Sequence, residues 1–315
     1  MQLPIRLPGK TGQRSRWRLN RTQRRDMLAA YTFLAPYLII LTIFTVIATV
    51  VALVYSFYYV DFGFTQPVFV GIRNYQIIWY DLTHNGNLLV SIGNAIKYSV
   101  IVVVCQTIVS LALALLINQK VRGRGIFRTI FYLPSLTSSV AISLIFLWLY
   151  NTHGAINYLL SLIGIPPHTW LNDPSTALPA IAILSIWTTA PTFMLIYLAA
   201  LQDIPESLLE AARVDGASTW QAIWHVTIPL LRPTTFVVVA LGTIGAFQVF
   251  DQVYVMQGAT GGPLRSTLTP VLVIYNTAFL NSAMGLACAQ AFVLFVIIFA
   301  ATMLERRYLD ANIQY

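Results

Sequence analysis

Six stretches of 18 residues or more contain no Lys, Arg, Asp or Glu: 27–60, 98–119, 129–172, 174–202, 233–250 and 266–304. Each can house a bilayer-crossing helix, which takes ~20 predominantly apolar residues. Two runs are too long for one crossing, so turn residues set the limits. Asn151, His153, Gly154, Pro166 and Pro167 end the third span near residue 150, and Pro174 with Ser175 opens the fourth. The spans are expected near 30–58, 90–118, 127–150, 177–201, 233–256 and 284–304, an all-α membrane protein with six transmembrane helices. Composition agrees, with 10% charged residues against roughly 25% in an average soluble domain.

The basic residues orient these spans. Eight lie in the tail 1–26, which precedes the membrane domain 27–315. Lys120, Arg122, Arg124 and Arg128 follow span two, Arg213 and Arg232 follow span four, and Arg306 and Arg307 follow span six. Sixteen of the nineteen thus fall on one face, and since basic loops stay cytoplasmic, both termini are expected inside. The tail is accounted for by topology and anionic lipid, and no nucleic-acid partner is expected. The first apolar run starts too late and is too long for a cleavable signal peptide. Cys105 and Cys288 fall in or beside spans, which excludes a disulfide framework in outer loops.

Enzyme signatures are missing. Gly9-Lys10-Thr11 imitates the end of a phosphate-binding loop, but Pro4 stands where the pattern needs Gly. His84, His153, His168 and His225 show no metal-ligand spacing, and no catalytic triad or carboxylate pair maps to one membrane face. No catalytic residue, metal or cofactor is expected in this chain, so uphill work would draw its energy from an ion or a partner.

The most polar stretch after the tail is 209–229, between spans four and five. Pro205 suits the first turn of a helix, whose N-terminal half Glu206 and Glu210 favour through the helix dipole. Gly216 suits a left-handed cap, and Ser218 with Gln221 has capping-box spacing for a second helix continuing toward Pro229. The loop 203–232 is therefore expected to be two short helices with a defined corner. Small Ala211, Ala212 and Ala217 allow close backbone approach, while Glu210 and Asp215 offer charge to a basic partner. The alternative is an amphipathic hairpin lying on lipid.

Glu210-Ala211-Ala212, Asp215-Gly216-Ala217 and Ile228-Pro229-Leu230-Leu231 resemble the "EAA" loop of permease subunits in bacterial binding-protein-dependent ABC importers. "FVGIRNYQ" (69–76), "YLPSLTSS" (132–139), "WLNDPSTA" (170–177), "LQDIPESLLEAA" (201–212) and "FQVFDQVYVM" (247–256) followed by Gly261-Gly262-Pro263 are similar to the carbohydrate branch, particularly the first permease of maltose-type and glycerol-3-phosphate-type systems. The resemblance implies a type I importer permease fold in the bacterial inner membrane, with 203–232 as the coupling loop. It also implies four kinds of partner: a second permease, expected to be a different chain; two cytoplasmic ATPases that bind ATP and Mg; an external substrate-binding protein; and the lipid membrane. The chain departs from the family's frequent Thr-Gly-Gly-Gly-Pro, reading Ala259-Thr260-Gly261-Gly262-Pro263, and the extra N-terminal spans of some maltose-type relatives are not expected here.

Ionisable groups within a span are costly and default to functional candidates. Lys97 and Asp251 qualify, although Lys97 is long enough to snorkel outward. On one continuous helix Phe247, Gln248 and Asp251 share a face, and a ring beside an amide and a carboxylate suits a sugar. The other reading is a polar patch that glues helices. Resemblance to maltose-type permeases places substrate contacts at Ser135, Ser139, Thr188, Thr189, Thr192, Phe247, Gln248 and Asp251, with Trp187 adjacent as a stacking surface. The expected function is the translocation path for a sugar, oligosaccharide or polyol derivative. A phosphorylated polyol is the alternative substrate, and an ion-coupled secondary transporter using Asp251 is the rival from another class.

Overall fold

The computed structural model describes residues 21–309 apart from 62, 64–65 and 120–122. The basic tail before residue 21, with Lys120 and Arg122, lies outside the described residues. Internal packing divides the chain after Val51, inside the first apolar run. The first unit comprises α1 (Arg21–Leu41), a π-helical turn Thr42–Ile47 and the start of α2 (Ala48–Tyr55). The apolar helix Arg25–Tyr55 is 31 residues long, enough to cross a bilayer.

In the second unit, α2 ends at an antiparallel pair, β1 (Tyr58–Tyr59) and β2 (Val68–Phe69). This small ladder departs from the all-α expectation. It is fixed from α3 (Arg73–Thr83), where Asn74 Nδ2 donates to the carbonyls of Ser56 at 2.9 Å and Tyr58 at 3.0 Å. Next comes α4 (Asn87–Asn118), whose start is held by a hydrogen bond from Leu88 N–H to the Asp81 carboxylate at 2.7 Å. Satisfying a first-turn donor in this way defines where the helix begins.

The third expected span, 127–150, is broken. Its helices α5 (Arg124–Leu136) and α6 (Ser139–Leu149) meet at 91°. Pro134 lacks a donor and crowds the preceding turn, and the hydroxyls of Ser135 and Thr137 bond back to the carbonyls of Tyr132 at 2.7 Å and Leu133 at 3.4 Å. The chain then makes α7 (Ala155–Ser161) and the long α8 (Ala177–Asp203). The hairpin follows: α9 (Glu206–Val214), α10 (Thr219–Ala222), a π-helical turn Ile223–Thr227 and α11 (Ile228–Leu230).

Span five is also interrupted, into α12 (Arg232–Phe247) and α13 (Asp251–Gln257). The backbone leaves helical geometry at Phe250 (φ −138°), and the Thr269 hydroxyl takes up the Val249 carbonyl at 3.1 Å. Such breaks are tolerated at membrane depth where a neighbour satisfies the freed groups. A short apolar helix that the turn residues do not reveal, α14 (Pro270–Tyr275), continues as a π-helical turn to Leu280 and precedes α15 (Met284–Leu309). Among the described residues five helices are long and apolar enough to cross a membrane, and a sixth if the bent pair counts as one span.

The core forms where α4 meets α8. Tyr98, Val102 and Val103 pack with Ile181, Ala182 and Leu184, and with Ala246, Val249 and Val253 around the break in span five. A second cluster joins Ala114 and Ile117 to Met194, Tyr197, Leu198, Leu231 and Val238. Apolar burial gives little specificity when lipid is equally apolar, so small residues and interhelical hydrogen bonds set the pairing. Ala180, Ala182 and Ala190 are buried on α8, and the Tyr197 hydroxyl donates to Thr235 on α12 at 3.1 Å.

Candidate functional site

The hairpin after α8 is built from local signals. Pro205 stands one residue before α9, at its cap rather than within its first turn, and Glu206 occupies the N-terminal turn. At the other end Gly216 takes φ +83°, a left-handed conformation favourable to glycine. Two bonds close the corner: Gly216 N–H to the Arg213 carbonyl at 3.0 Å, and Ala217 N–H to the Ala212 carbonyl at 2.9 Å. This is the Schellman pattern. Ser218 then caps α10, accepting from Gln221 N–H at 3.3 Å while its own N–H donates to Gln221 Oε1 at 2.8 Å. Ahead of Pro229 the helix widens into the π-helical turn, because a proline ring clashes with the carbonyl one turn back.

The corner projects its functional candidates outward. Glu210, Ala211, Asp215 and Gly216 are exposed, Ala212, Ala217 and Pro229 are half-buried, and Val214 at the tip is 88% exposed. Behind it lies a cavity of about 510 Å³ between the ends of α4 and α8 and the hairpin, lined by Asn118, Leu201, Ile204, Glu206, Arg213 and Thr219. The hairpin therefore meets the helix bundle across open space on that side. A rigid shape with an exposed apolar tip and flanking carboxylates suits docking against a protein cleft.

The second region lies where α4, α6, α8 and the break between α12 and α13 converge. Two recesses, of about 260 and 290 Å³, share Ser139, Thr189, Phe193 and Gln252. The first is also lined by Gln106, Ser185, Gln248 and Asp251, and the second by Ser135, Thr188 and Thr192. Seven of the nine expected path residues therefore line these two adjoining recesses. Asp251 lies in the first turn of α13, where the helix dipole favours a carboxylate. Lys97 is exposed on α4 and does not line these recesses.

Two expected residues lie elsewhere. Phe247 is 5% exposed and packs with Ala95, Leu294 and Ile298. The break at Gln248–Phe250 ends the common helical face that would have put its ring beside Gln248 and Asp251. Trp187 lines a neighbouring apolar hollow with Leu113, Ile130 and Pro191, which meets the second recess at Pro134 and Thr137, and its ring lies 5.5 Å from that of Phe146. Sequence reasoning misses Gln106, Ser185 and Gln252. The one amide in the interior of the charge-free run 98–119, whose other two, Asn118 and Gln119, stand at its end, is the available signal for Gln106.

The loop before α8 is polar and ordered by Asn157. Its Nδ2 donates to the His168 carbonyl at 2.9 Å, and its Oδ1 accepts from His168 N–H and from Trp170 Nε1. Nearby, the Ser175 hydroxyl and N–H donate to Asp173 and hold its carboxyl below the usual aspartate range.

Comparison with known proteins gives a consistent picture. Residues 106–310 match the family described as binding-protein-dependent transport system inner membrane component. The chain is 36% identical over 287 residues to the probable ABC transporter permease protein YesP of Bacillus subtilis, covering 90% of this chain and 91% of that protein. It is 32% identical over 286 residues to the trehalose/maltose transport system permease protein MalF of Thermococcus litoralis, covering 89% and 92%. The fold is that of a chain in the crystal structure of a bacterial ABC transporter involved in the import of the acidic polysaccharide alginate, with TM-score 0.76, 23% identity, and coverage of 92% and 98%. A chain matched by the family model over most of its length, with relatives that share its extent, belongs to the binding-protein-dependent transport system inner membrane components, the ABC permeases.

Proposed function

We propose that this permease forms half of the translocation path of an ATP-driven importer for a neutral sugar or oligosaccharide. The carrying observation is that Ser135, Ser139, Thr188, Thr189, Thr192, Gln248 and Asp251 line two adjoining recesses within the helix bundle. Hydroxyls, amides and a carboxylate offer donors and acceptors that match sugar hydroxyls. The trehalose/maltose transport system in the name of one relative supports the same class. A phosphorylated substrate fits less well, because Asp251 faces the recess and Lys97 does not.

The hairpin 203–232 is the element that couples to the ATPases. Its fixed corner, exposed Val214 and carboxylates Glu210 and Asp215 suit a cleft in a cytoplasmic partner that binds ATP and Mg. Two such ATPases, a second and different permease chain, and an external binding protein complete the assembly. The charge distribution of the loops supports both termini in the cytoplasm of a bacterial cell, with the chain in its inner membrane. Transport then proceeds by alternating access, each ligand shifting an existing inward–outward equilibrium toward the state it prefers.

Detergent extraction of the tagged chain from native membranes tests this directly. Recovery of an ATPase and a second permease in comparable amounts, with sugar uptake abolished by ATP depletion, is expected. A chain recovered alone, whose reconstituted transport collapses with the ion gradient and survives ATP depletion, would overturn the proposal.

A further inference from the structure

Gln106 lies near the middle of α4, is 1% exposed, and borders the recess that holds Gln248 and Asp251. Thr189 Oγ1 lies 2.8 Å from Gln106 Oε1 and 2.7 Å from the Ser185 carbonyl. A hydroxyl has one proton, so Thr189 donates to one of these acceptors at a time. On the other end of the amide, no described protein group lies within hydrogen-bonding reach of Gln106 Nε2. If Thr189 turns to Ser185, the amide can flip and donate from Nε2 to Thr189, which leaves its oxygen as the unsatisfied end. Either way, one polar end of a buried amide is unpaired.

Such a group is costly in a bilayer-spanning bundle. Ser139 Oγ, on the wall of the same recess, is likewise buried without a hydrogen-bond partner. The recess is therefore short of polar partners at two points that converge from α4 and α6. Gly242 on α12 sets the approach, since a Cβ built there would overlap the Gln106 amide nitrogen.

We propose that Gln106 contacts the substrate directly, its reversible amide giving either a donor or an acceptor to a passing sugar hydroxyl, with Gly242 keeping the space in which that amide turns. The inference rests on the sugar-permease reading. An adaptable contact suits a transport path, where binding must be favourable enough for entry and weak enough for exit. Gln252, which borders both recesses, continues the polar surface beyond it.

The test uses the complete transporter, expressed with its second permease, ATPases and binding protein, and initial uptake rates of radiolabelled trehalose, maltose and lactose. Gln106→Met keeps the shape and removes both polar ends. It is expected to lower uptake about tenfold, the size of a lost hydrogen bond together with an unpaired partner, with unchanged recovery of the assembled complex. Gly242→Ala, which displaces the amide without deleting it, is expected to lower uptake similarly. Unchanged uptake in Gln106→Met, or loss of uptake in step with loss of complex, would each overturn the proposal. Wild-type uptake confined to a phosphorylated polyol would overturn the neutral-sugar reading beneath it, and the proposal with it.

Discussion

The hairpin 203–232 and the polar recess are both departures from an apolar chain, but they are made in opposite ways. At the hairpin corner the shaping hydrogen bonds are local: the Schellman bonds run from Gly216 and Ala217 to Arg213 and Ala212, and the capping box joins Ser218 to Gln221. In the recess the shaping contacts are distant in sequence: Gln106 meets Thr189, 83 positions away, and α6 meets α13. The hairpin corner is exposed and is capped at Gly216 and Ser218; the recess lies within the bundle and leaves Gln106 Nε2 and Ser139 Oγ without partners. Rigid local geometry suits transmission of force to a partner, whereas unsatisfied polar groups inside a bundle suit a ligand that comes and goes.

That contrast can be broken most severely at Gly216. Proline cannot adopt φ +83°, so Gly216→Pro should destroy the corner and reduce uptake by at least about 100-fold, through uncoupled ATP hydrolysis or failed assembly. Uptake at the wild-type rate by a stably assembled variant would remove the hairpin from coupling. In the recess, Asp251→Leu deletes an acceptor and is expected to slow uptake by about tenfold or more, while Asp251→Asn, which keeps an acceptor, costs less. Equal and complete loss in both variants, with the complex intact, would point instead to a charge requirement such as ion coupling.

Smaller effects sharpen the comparison. Ser218→Ala removes one cap, worth about 1 kcal/mol, and should speed hydrogen exchange at the Gln221 amide about fivefold while leaving exchange around Gln106 unchanged. Propagation of that change into α4 would show the two regions to be mechanically continuous. The smallest effect concerns Asp173, whose carboxyl is held low chiefly by Ser175. A depressed native value means that its contribution is full above the unfolded aspartate value of ~3.9 and is lost as pH falls through the lower native one. Hydrogen exchange in the loop before α8, corrected for its intrinsic pH dependence, should therefore be flat from pH 5 to 8. A step in that range would show that a group other than Asp173 controls the loop.

What is legible in the sequence follows the range of the interactions. The left-handed cap at Gly216 and the capping box at Ser218 depend on residues within a few positions, so a short window of sequence contains both. The path residues on α8 are placed by resemblance and do face the recess, because Thr188, Thr189 and Thr192 follow one helical face. Phe247 departs for a specific reason: a face shared with Gln248 and Asp251 requires an unbroken helix, and the backbone turns at Gln248–Phe250. The break takes its support from Thr269, twenty residues after Val249, and no window over span five contains that information. Trp187 is adjacent in sequence to the right residues but points from α8 into an apolar hollow. A one-residue step rotates a helical side chain by about 100°.

The sequence by itself determined the class of protein. Long runs without charge require membrane helices, the placement of basic residues gives an expected orientation, and local caps make the corner between α9 and α10. Only the tertiary structure decided that span three bends by 91°, that span five breaks beside Asp251, and that Gln106 from α4 joins a surface drawn also from α5, α6, α8, α12 and α13. The physical reason is that lipid satisfies every apolar face equally. Which helices meet is left to small residues and polar pairs acting across the fold, and neither has a periodicity that a single segment can display.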